Sequence, residues 1–239
     1  MLIKVKNRKV RITKPIICSY QRKIERLYTE RIRIYNLYNY ENRLKNEGYS
    51  LVAGIDEAGR GSLAGPVVAA AVILPCRLFI PYIKDSKKLT SKKREELYYS
   101  ILKKAKDISI GIVEARIIDR INIAQASFLA MKKAIFDFKE VPDYLLVDGF
   151  KIPHLNIFQI PLIKGESKSI SIAAASIVAK VYRDNIMVEY HQKYPHYFFK
   201  KNKGYGTEEH LKSLIKYGPS KIHRKSYKRV MTMKVKNSR

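Results

Sequence analysis

Two adjacent carboxylates, Asp56 and Glu57, stand at the end of an apolar segment and directly before a Gly59-Arg60-Gly61 turn. Carboxylate oxygens are the ligands that Mg²⁺ and Mn²⁺ prefer in proteins. Glycines on both sides of Arg60 let main-chain N–H groups approach a phosphate or a sugar, and the arginine adds a permanent planar cation. The pattern indicates metal-dependent chemistry on a phosphodiester. An ordinary β-turn with solvated charges is the alternative that these residues alone leave open.

Further motifs follow this segment along the chain. The segment 54–74 reads GIDEAGRGSLAGPVVAAAVIL, and after it come DSKKL at 85–89, LVDG at 146–149, KGESKS at 164–169, IAAASIVAK at 172–180, Arg183-Asp184, GYGT at 204–207 with His210, and His223-Arg224. Together these motifs resemble the signature of bacterial ribonuclease HII, a family that cuts RNA strands within duplexes that contain DNA. The resemblance covers about residues 50–228. It implies an endonuclease with a ribonuclease H-like fold.

The resemblance implies that Asp56, Glu57 and Asp148 bind the catalytic metals, two divalent ions that are Mn²⁺ or Mg²⁺. Glu57 raises a geometric question, because successive residues of a regular strand point to opposite faces of the sheet. Both Asp56 and Glu57 face the metals only where the strand ends or bulges. Ligation through the Glu57 backbone carbonyl is the alternative. For Asp148, the residues alone also allow a turn-forming Asp-Gly pair after a strand.

The fourth carboxylate has two candidates. Glu166 occupies a position where ribonucleases HII usually have Asp, while the sister ribonucleases HIII often have Glu there, so we assign the fourth ligand to Glu166. Asp184 is the competitor, on a long helix, where pairing with a neighbour such as Arg183 or Lys180 is the simpler interpretation. The predicted catalytic and metal-binding set is therefore Asp56, Glu57, Asp148 and Glu166.

Substrate recognition is predicted at the Gly59-Arg60-Gly61 turn and at Tyr205. The resemblance implies that this turn contacts the backbone and the sugar around the ribonucleotide, and that the tyrosine packs against the next sugar. The 2′-OH is the group that distinguishes ribose from deoxyribose at a given site. Without the surrounding motif, Tyr205 would be interpreted as a core or loop residue. Ser62 replaces the proline that usually follows this turn in the family.

The charge of the chain agrees with a nucleic-acid substrate. Its 239 residues include 48 Lys and Arg against 21 Asp and Glu, a formal charge of +27 that favours a polyanionic partner. An acidic membrane surface is the other polyanion, but the basic stretches form no clear amphipathic anchor. Only two cysteines occur, and the longest apolar stretch, Pro66 to Cys76, is too short to span a membrane. We expect a cytoplasmic monomer.

The elements predicted around these motifs alternate between strands and helices. Helices are predicted at Ser19–Asn46 (one or two), Ser91–Lys104, Ile123–Phe138 and Ser169–Tyr190, and strands at Val52–Asp56, Val67–Leu74, Ser109–Glu114, Tyr144–Val147 and Ile157–Ile163. Such an order indicates an α/β fold, and the resemblance specifies a ribonuclease H-like mixed sheet flanked by helices. We expect a basic, mainly helical extension at 1–48, the catalytic core at 49–192, and a basic helical C-terminal region at 193–239 that carries the recognition tyrosine.

The predicted activity is hydrolysis of the ribonucleotide strand in RNA/DNA hybrids and in duplex DNA with embedded ribonucleotides, by two-metal-ion catalysis that leaves a 3′-OH and a 5′-phosphate. Two alternatives remain: a ribonuclease HIII-like nuclease for longer RNA tracts, and a non-catalytic nucleic-acid-binding module. The role of residues 1–48 is also open. They form either an auxiliary duplex clamp or a packing helix whose tyrosines and leucines cover an apolar face of the nuclease.

Overall fold

A computed structural model of the protein describes residues 2–5, 8–11, 14–84 and 86–232. Asp85, the first residue of the DSKKL motif, lies outside the described residues. The chain begins with an antiparallel hairpin, β1 (Leu2–Val5) and β2 (Arg8–Arg11), and continues into α1 (Lys14–Leu37) and α2 (Asn39–Asn46). The predicted helical extension is confirmed as two helices. Gly48 follows them at a φ of 99°, the conformation expected of a glycine after a helix.

A five-stranded mixed sheet forms the centre of the molecule, as predicted. Its strands are β3 (Val52–Ala58), β4 (Val67–Ile73), β5 (Asp107–Val113), β6 (Tyr144–Asp148) and β7 (Phe158–Leu162), in the spatial order β5-β4-β3-β6-β7. β4 pairs antiparallel with β3 and β5, whereas β6 pairs parallel with β3 and β7. The carboxyl ends of β3, β6 and β7 therefore share one edge, the usual place for a ligand site in such sheets.

Long helices cover both faces of this sheet. They are α4 (Ala115–Phe136) on one face and α5 (Ile170–Lys193) on the other, and α3 (Ser91–Lys104) packs beside α5. Two glycines permit the close approach: a Cβ on Gly54 would lie 2.1 Å from the backbone carbon of Ser171, and one on Gly111 would lie 1.9 Å from the Ala130 carbonyl oxygen. All seven residues of β4 are buried, because both of its faces are covered.

The start of α4 was predicted too late. Sequence periodicity placed the helix at Ile123–Phe138, whereas it begins at Ala115 and is interrupted at Asn122, which has a φ of 64° and a ψ of 168°. The Asn122 side-chain oxygen accepts hydrogen bonds from the N–H groups of Ala124 and Gln125, at 2.9 and 3.1 Å. Asn122 therefore caps the second part of the helix, and only that part shows the periodic pattern.

The extension packs on the core through its second half. Ile34, Leu37, Tyr38 and Leu44 are buried against the sheet and its helices, whereas five apolar residues of α1 that precede Ile34 are exposed: Tyr20, Ile24, Leu27, Tyr28 and Ile32. The packing interpretation therefore describes α2 and the end of α1. The five exposed side chains of α1 do not cover the nuclease core.

The C-terminal region adds a small second core beside α5. It contains α6 (Phe199–Asn202), α7 (Glu208–Tyr217) and α8 (Lys228–Met231). Phe199 and Leu214 from this region pack with Leu63, from the turn after β3, and with Met187 of α5. The turn after β3, α5 and the C-terminal region thus share one packed cluster. None of the helices in the described parts of the chain is long and apolar enough to cross a membrane.

Candidate active site

Asp56 and Asp148 lie side by side at the edge where β3 and β6 end. The two strands are parallel, and Ile55 pairs with Val147, so the next residue on each strand is an aspartate. Burial raises the pKa of Asp56 well above its ordinary value, and the negative charges of Glu57 and Asp148 raise it further. The Ser176 hydroxyl of α5 opposes this shift by hydrogen bonding to the carboxylate. The site therefore concentrates negative charge where a bound cation would relieve the repulsion.

Glu57 points to the opposite face of β3. The strand is regular here, since Asp56 pairs with Ala70 and Glu57 with Ala69. The Glu57 side chain lines a cleft under α4 together with Asp148, and its Oε1 accepts a hydrogen bond from Arg60 at 3.2 Å. Burial raises the pKa of Glu57, and the charge of Arg60 acts against that rise. The negative charge of Asp148, on the neighbouring strand, raises the pKa of both acids.

Glu166 follows directly after a residue that is bonded to Asp148. The Gly165 N–H donates to Asp148 Oδ1 at 2.7 Å, inside a tight turn at Gly165–Ser167. A Cβ on Gly165 would lie 2.6 Å from the end of the Ile172 side chain and 3.2 Å from Asp148 Oδ1, so a larger residue would require Ile172 to move. The half-buried Glu166 is thereby placed one residue from the carboxylate that it is predicted to assist.

The donor set agrees in chemistry with a hard divalent cation, since all four predicted ligands are carboxylates. The negative charge of Asp148 raises the pKa of both Asp56 and Glu57, so the three carboxylates repel one another. In the described ranges, 2–5, 8–11, 14–84 and 86–232, no three acidic, histidine or cysteine side chains are close enough together to enclose a metal. The physical reason for this spacing is that Asp56 and Glu57 are successive residues of β3, whose side chains point to opposite faces of the sheet.

Asp184, the competing candidate, is held in ion pairs on α5. Lys180 Nζ lies 2.7 Å from its Oδ1, and Arg94 lies 3.8 Å from its Oδ2. Lys180 is one of the two partners considered for it from the sequence. Arg183, the other, points away into the protein interior.

Arg183, considered from the sequence only as a partner of Asp184, has a structural role in the fold. Its side chain is fully buried and donates to three backbone carbonyls, those of Ala64, Pro66 and Lys203, at 3.1, 2.9 and 3.0 Å. A Cβ on Gly59, which has a φ of 95°, would lie 2.0 Å from Arg183 Nε. The arginine therefore joins the Gly59-Arg60-Gly61 turn to the loop before Tyr205. Its place in the ordered motifs, as part of Arg183-Asp184, was the only signal that the sequence offered.

Arg224 holds the same turn from the other side. Its buried guanidinium donates to the Gly65 carbonyl through Nε and Nη2, and to the Arg60 carbonyl at 2.8 Å. The Tyr227 hydroxyl also donates to the Arg60 carbonyl, at 2.8 Å. With its backbone held in this way, the half-exposed Arg60 side chain is presented at the surface beside Glu57. His223-Arg224 was one of the sequence motifs, but the hydrogen bonds from Arg224 to the turn could not be predicted from it.

Tyr205 lies beside the cations of α5 at the protein surface. Its ring is 37 % exposed, with Lys180 Nζ 5.4 Å and the Arg183 guanidinium 5.6 Å from the ring centroid. Gly204 accepts hydrogen bonds from Leu63 and Ala64, which connects the tyrosine loop to the turn after β3. The structure thus brings the two predicted recognition segments together on one side of the carboxylates.

Two buried imidazoles support the Tyr205 backbone. The Ser220 N–H donates to His223 Nδ1 at 2.9 Å, so the neutral His223 carries its proton on Nε2. That proton is donated to His210 Nε2 at 2.9 Å, and His210 Nδ1 donates to the Tyr205 carbonyl at 2.9 Å. Burial lowers the pKa of both histidines, and the neighbouring imidazole lowers that of His223 further, to about 3.

Comparison with known proteins identifies the family to which this chain belongs. The family model described as Ribonuclease HII matches residues 53–230. The chain belongs to the ribonuclease HII family. A curated ribonuclease HII from Caldanaerobacter subterraneus subsp. tengcongensis is 60 % identical over 195 residues, which cover 82 % of this chain and 81 % of that protein. The matched range contains all the residues predicted for catalysis and recognition.

Two solved structures are similar in fold. The crystal structure of ribonuclease H2 from Pyrococcus horikoshii OT3 has a TM-score of 0.66 and 24 % identity, and the match covers 77 % of this chain and 97 % of that one. A structure of Bst-RNase HIII in complex with Mn²⁺ has a TM-score of 0.55 and 15 % identity, covering 77 % and 68 %. Family membership makes this chain a ribonuclease that acts on RNA in RNA/DNA hybrids, with a dependence on divalent metal.

Proposed function

We propose that this ribonuclease HII cuts on the 5′ side of a ribonucleotide embedded in duplex DNA as well as in RNA/DNA hybrids, and leaves a 3′-OH and a 5′-phosphate. The observation that supports the site is the pair of strand ends at Asp56 and Asp148, whose charges repel each other at the edge of the sheet. Basic flanks and a formal charge of +27 attract the polyanionic duplex.

Asp56 and Asp148 would hold the divalent ions, Mg²⁺ or Mn²⁺, with Glu166 and Glu57 completing the set. When bound, a pair of such ions activates water and stabilises the charge that develops on the leaving oxygen. Glu57 has two ways to contribute. Its side chain lines the cleft beside Asp148, and its backbone carbonyl is the alternative ligand.

Arg60 and Tyr205 orient the substrate strand. The Arg183 and Arg224 side chains hold the turn that carries Arg60, so its flanking N–H groups and guanidinium approach the ribonucleotide as one rigid unit. The half-exposed Tyr205 ring packs against the sugar on the 3′ side and rejects a second 2′-OH there by steric contact. Specificity thus comes from the 2′-OH and affinity from the phosphates.

The test uses duplexes with one ribonucleotide and an all-RNA/DNA hybrid. Asp56→Asn and Asp148→Asn should abolish cleavage of both substrates in Mg²⁺ and in Mn²⁺ while duplex affinity is retained, because affinity arises from cations on phosphates. Asp184→Asn is the matched control, since its carboxylate is already paired with Lys180 and should leave cleavage active. Cleavage by either active-site variant would refute the ligand assignment, and an uncut single-ribonucleotide duplex would favour a ribonuclease HIII-like activity.

A further inference from the structure

Glu41 is a partly buried residue whose carboxylate the proposed reaction does not use. It lies on α2, before the range 53–230 that the family model matches. Its Oε1 accepts a hydrogen bond from the Ser169 hydroxyl at 2.6 Å and another from the Ser171 backbone N–H at 3.0 Å. Its Oε2 is buried and makes no hydrogen bond among the described residues. The N-terminal extension therefore reaches the beginning of α5 with a carboxylate.

Stability alone does not explain an acid at this position. The free N–H groups at the start of a helix favour a negative charge, and Glu41 meets this need for α5. Burial nevertheless raises its pKa, which the bonds from Ser169 and Ser171 only partly offset. Burying a carboxylate with one oxygen unsatisfied costs free energy that an apolar side chain would not. A role in positioning the turn that precedes α5 explains the contact of Glu41 with Ser169 better.

The residues between Gly165 and Ser169 form a turn held at both ends by carboxylates. At one end the Gly165 N–H donates to Asp148 at 2.7 Å. Within the turn, the Ser169 N–H donates to the Gly165 carbonyl at 2.9 Å, and at the far end the Ser169 hydroxyl donates to Glu41. Glu166 lies between these two anchors. Its backbone position is therefore set from one side by the active site and from the other by the extension.

We propose that Glu41 is a positioning residue that fixes the Glu166 turn for metal binding, so that the N-terminal extension takes part in building the metal site. This inference rests on the proposed function, in which Glu166 is a metal ligand. Removing a residue that orients a ligand weakens metal binding by about 10- to 100-fold in other metalloproteins. The duplex should bind as before, because its phosphates are bound by cations and Glu41 is not one of them.

The test measures Mn²⁺ affinity of the full-length, substrate-free protein by titration calorimetry, together with the Mn²⁺ concentration that gives half-maximal cleavage. Glu41→Ala should weaken Mn²⁺ binding by about tenfold and leave KM for the duplex unchanged. Glu41→Gln keeps the accepting oxygen and should bind Mn²⁺ as the wild type does. The matched control is Leu37→Ala, which removes a buried side chain that anchors the extension but leaves the carboxylate in place.

A double variant shows whether Glu41 acts through Glu166. In a Glu166→Gln background, Glu41→Ala should weaken Mn²⁺ binding no further, since the ligand that it positions is already lost. Equal Mn²⁺ affinities of Glu41→Ala and Leu37→Ala, measured where both are folded, would overturn the inference, as would an undiminished effect of Glu41→Ala in the double variant. If Glu166→Gln itself left Mn²⁺ affinity unchanged, the ligand assignment would fail first and the positioning role with it.

Discussion

Lowering the pH from 7 to 5 should destabilise this protein through the buried pair His210 and His223. Every nitrogen of the two rings has an assigned partner, from the Ser220 N–H at one end to the Tyr205 carbonyl at the other. A second proton on either ring would place two N–H groups against each other. This is why the neutral forms are favoured in the folded state, where burial and the neighbouring imidazole lower the pKa of His223 to about 3.

The sign and size of the effect follow from proton linkage. An unfolded histidine has a pKa of about 6.5, so between pH 6.5 and 3 the unfolded chain binds a proton that the folded protein does not. The stabilisation is complete above pH 6.5 and is lost as the pH falls below it, by at most about 1.4 kcal/mol per pH unit for each group. At pH 5 His223 alone should cost about 2 kcal/mol of unfolding free energy. That is a large share of the stability of a typical domain, about 5–15 kcal/mol.

Urea unfolding at pH 7.5 and pH 5.0 measures this loss. The His223→Gln variant starts from a lower stability but should lose about 2 kcal/mol less than the wild type between the two pH values. The matched control is His196→Gln, in which an exposed imidazole is removed, and it should follow the wild-type pH dependence. Equal losses for the wild type and His223→Gln would refute the linkage argument.

Three further outcomes test other parts of the structure. Asp56→Asn should raise the melting temperature of the metal-free protein, because it removes a buried charge next to two carboxylates, and should reduce the rise that Mn²⁺ produces; thermal scans with and without Mn²⁺ check both. Arg183→Met should cost about 3 kcal/mol in urea unfolding, since three carbonyls lose their donor. Deleting residues 1–48 exposes the surface that buries Leu44 and should lower the melting temperature. An unaltered salt dependence of duplex affinity in the same truncated protein would rule out a clamp.

The strands and helices that carry the site were predictable because their signals are local. β4 is a continuous apolar run, and the predicted helix at Ser91–Lys104 has the same bounds in the structure, where the Thr90 side chain caps it. At Asn122 the local signal misled, because a capped interruption divides α4 and only its second part has a clear periodicity. Local patterns fail where a helix contains its own break.

Residue types and the order of the motifs were also enough to identify the family and its candidate reactive side chains. The order of the motifs from Asp56 to Arg224 identified a ribonuclease HII, the adjacent acids indicated a metal site, and the resemblance implied a tyrosine for recognition. Both can be predicted without the fold, because residue type and spacing are properties of the linear sequence.

The hydrogen bonds that hold these groups in place became visible only in the folded structure. Arg183 and Arg224 appeared in the sequence as ordinary cations, yet folding buries both of them and directs their donors at the carbonyls of the recognition turn. The contact of Glu41 with Ser169 joins residues 128 positions apart. Neither arrangement produces a periodic pattern in the sequence. A buried hydrogen bond between distant residues depends on which segments pack together, and this is not encoded in the spacing of neighbouring residues.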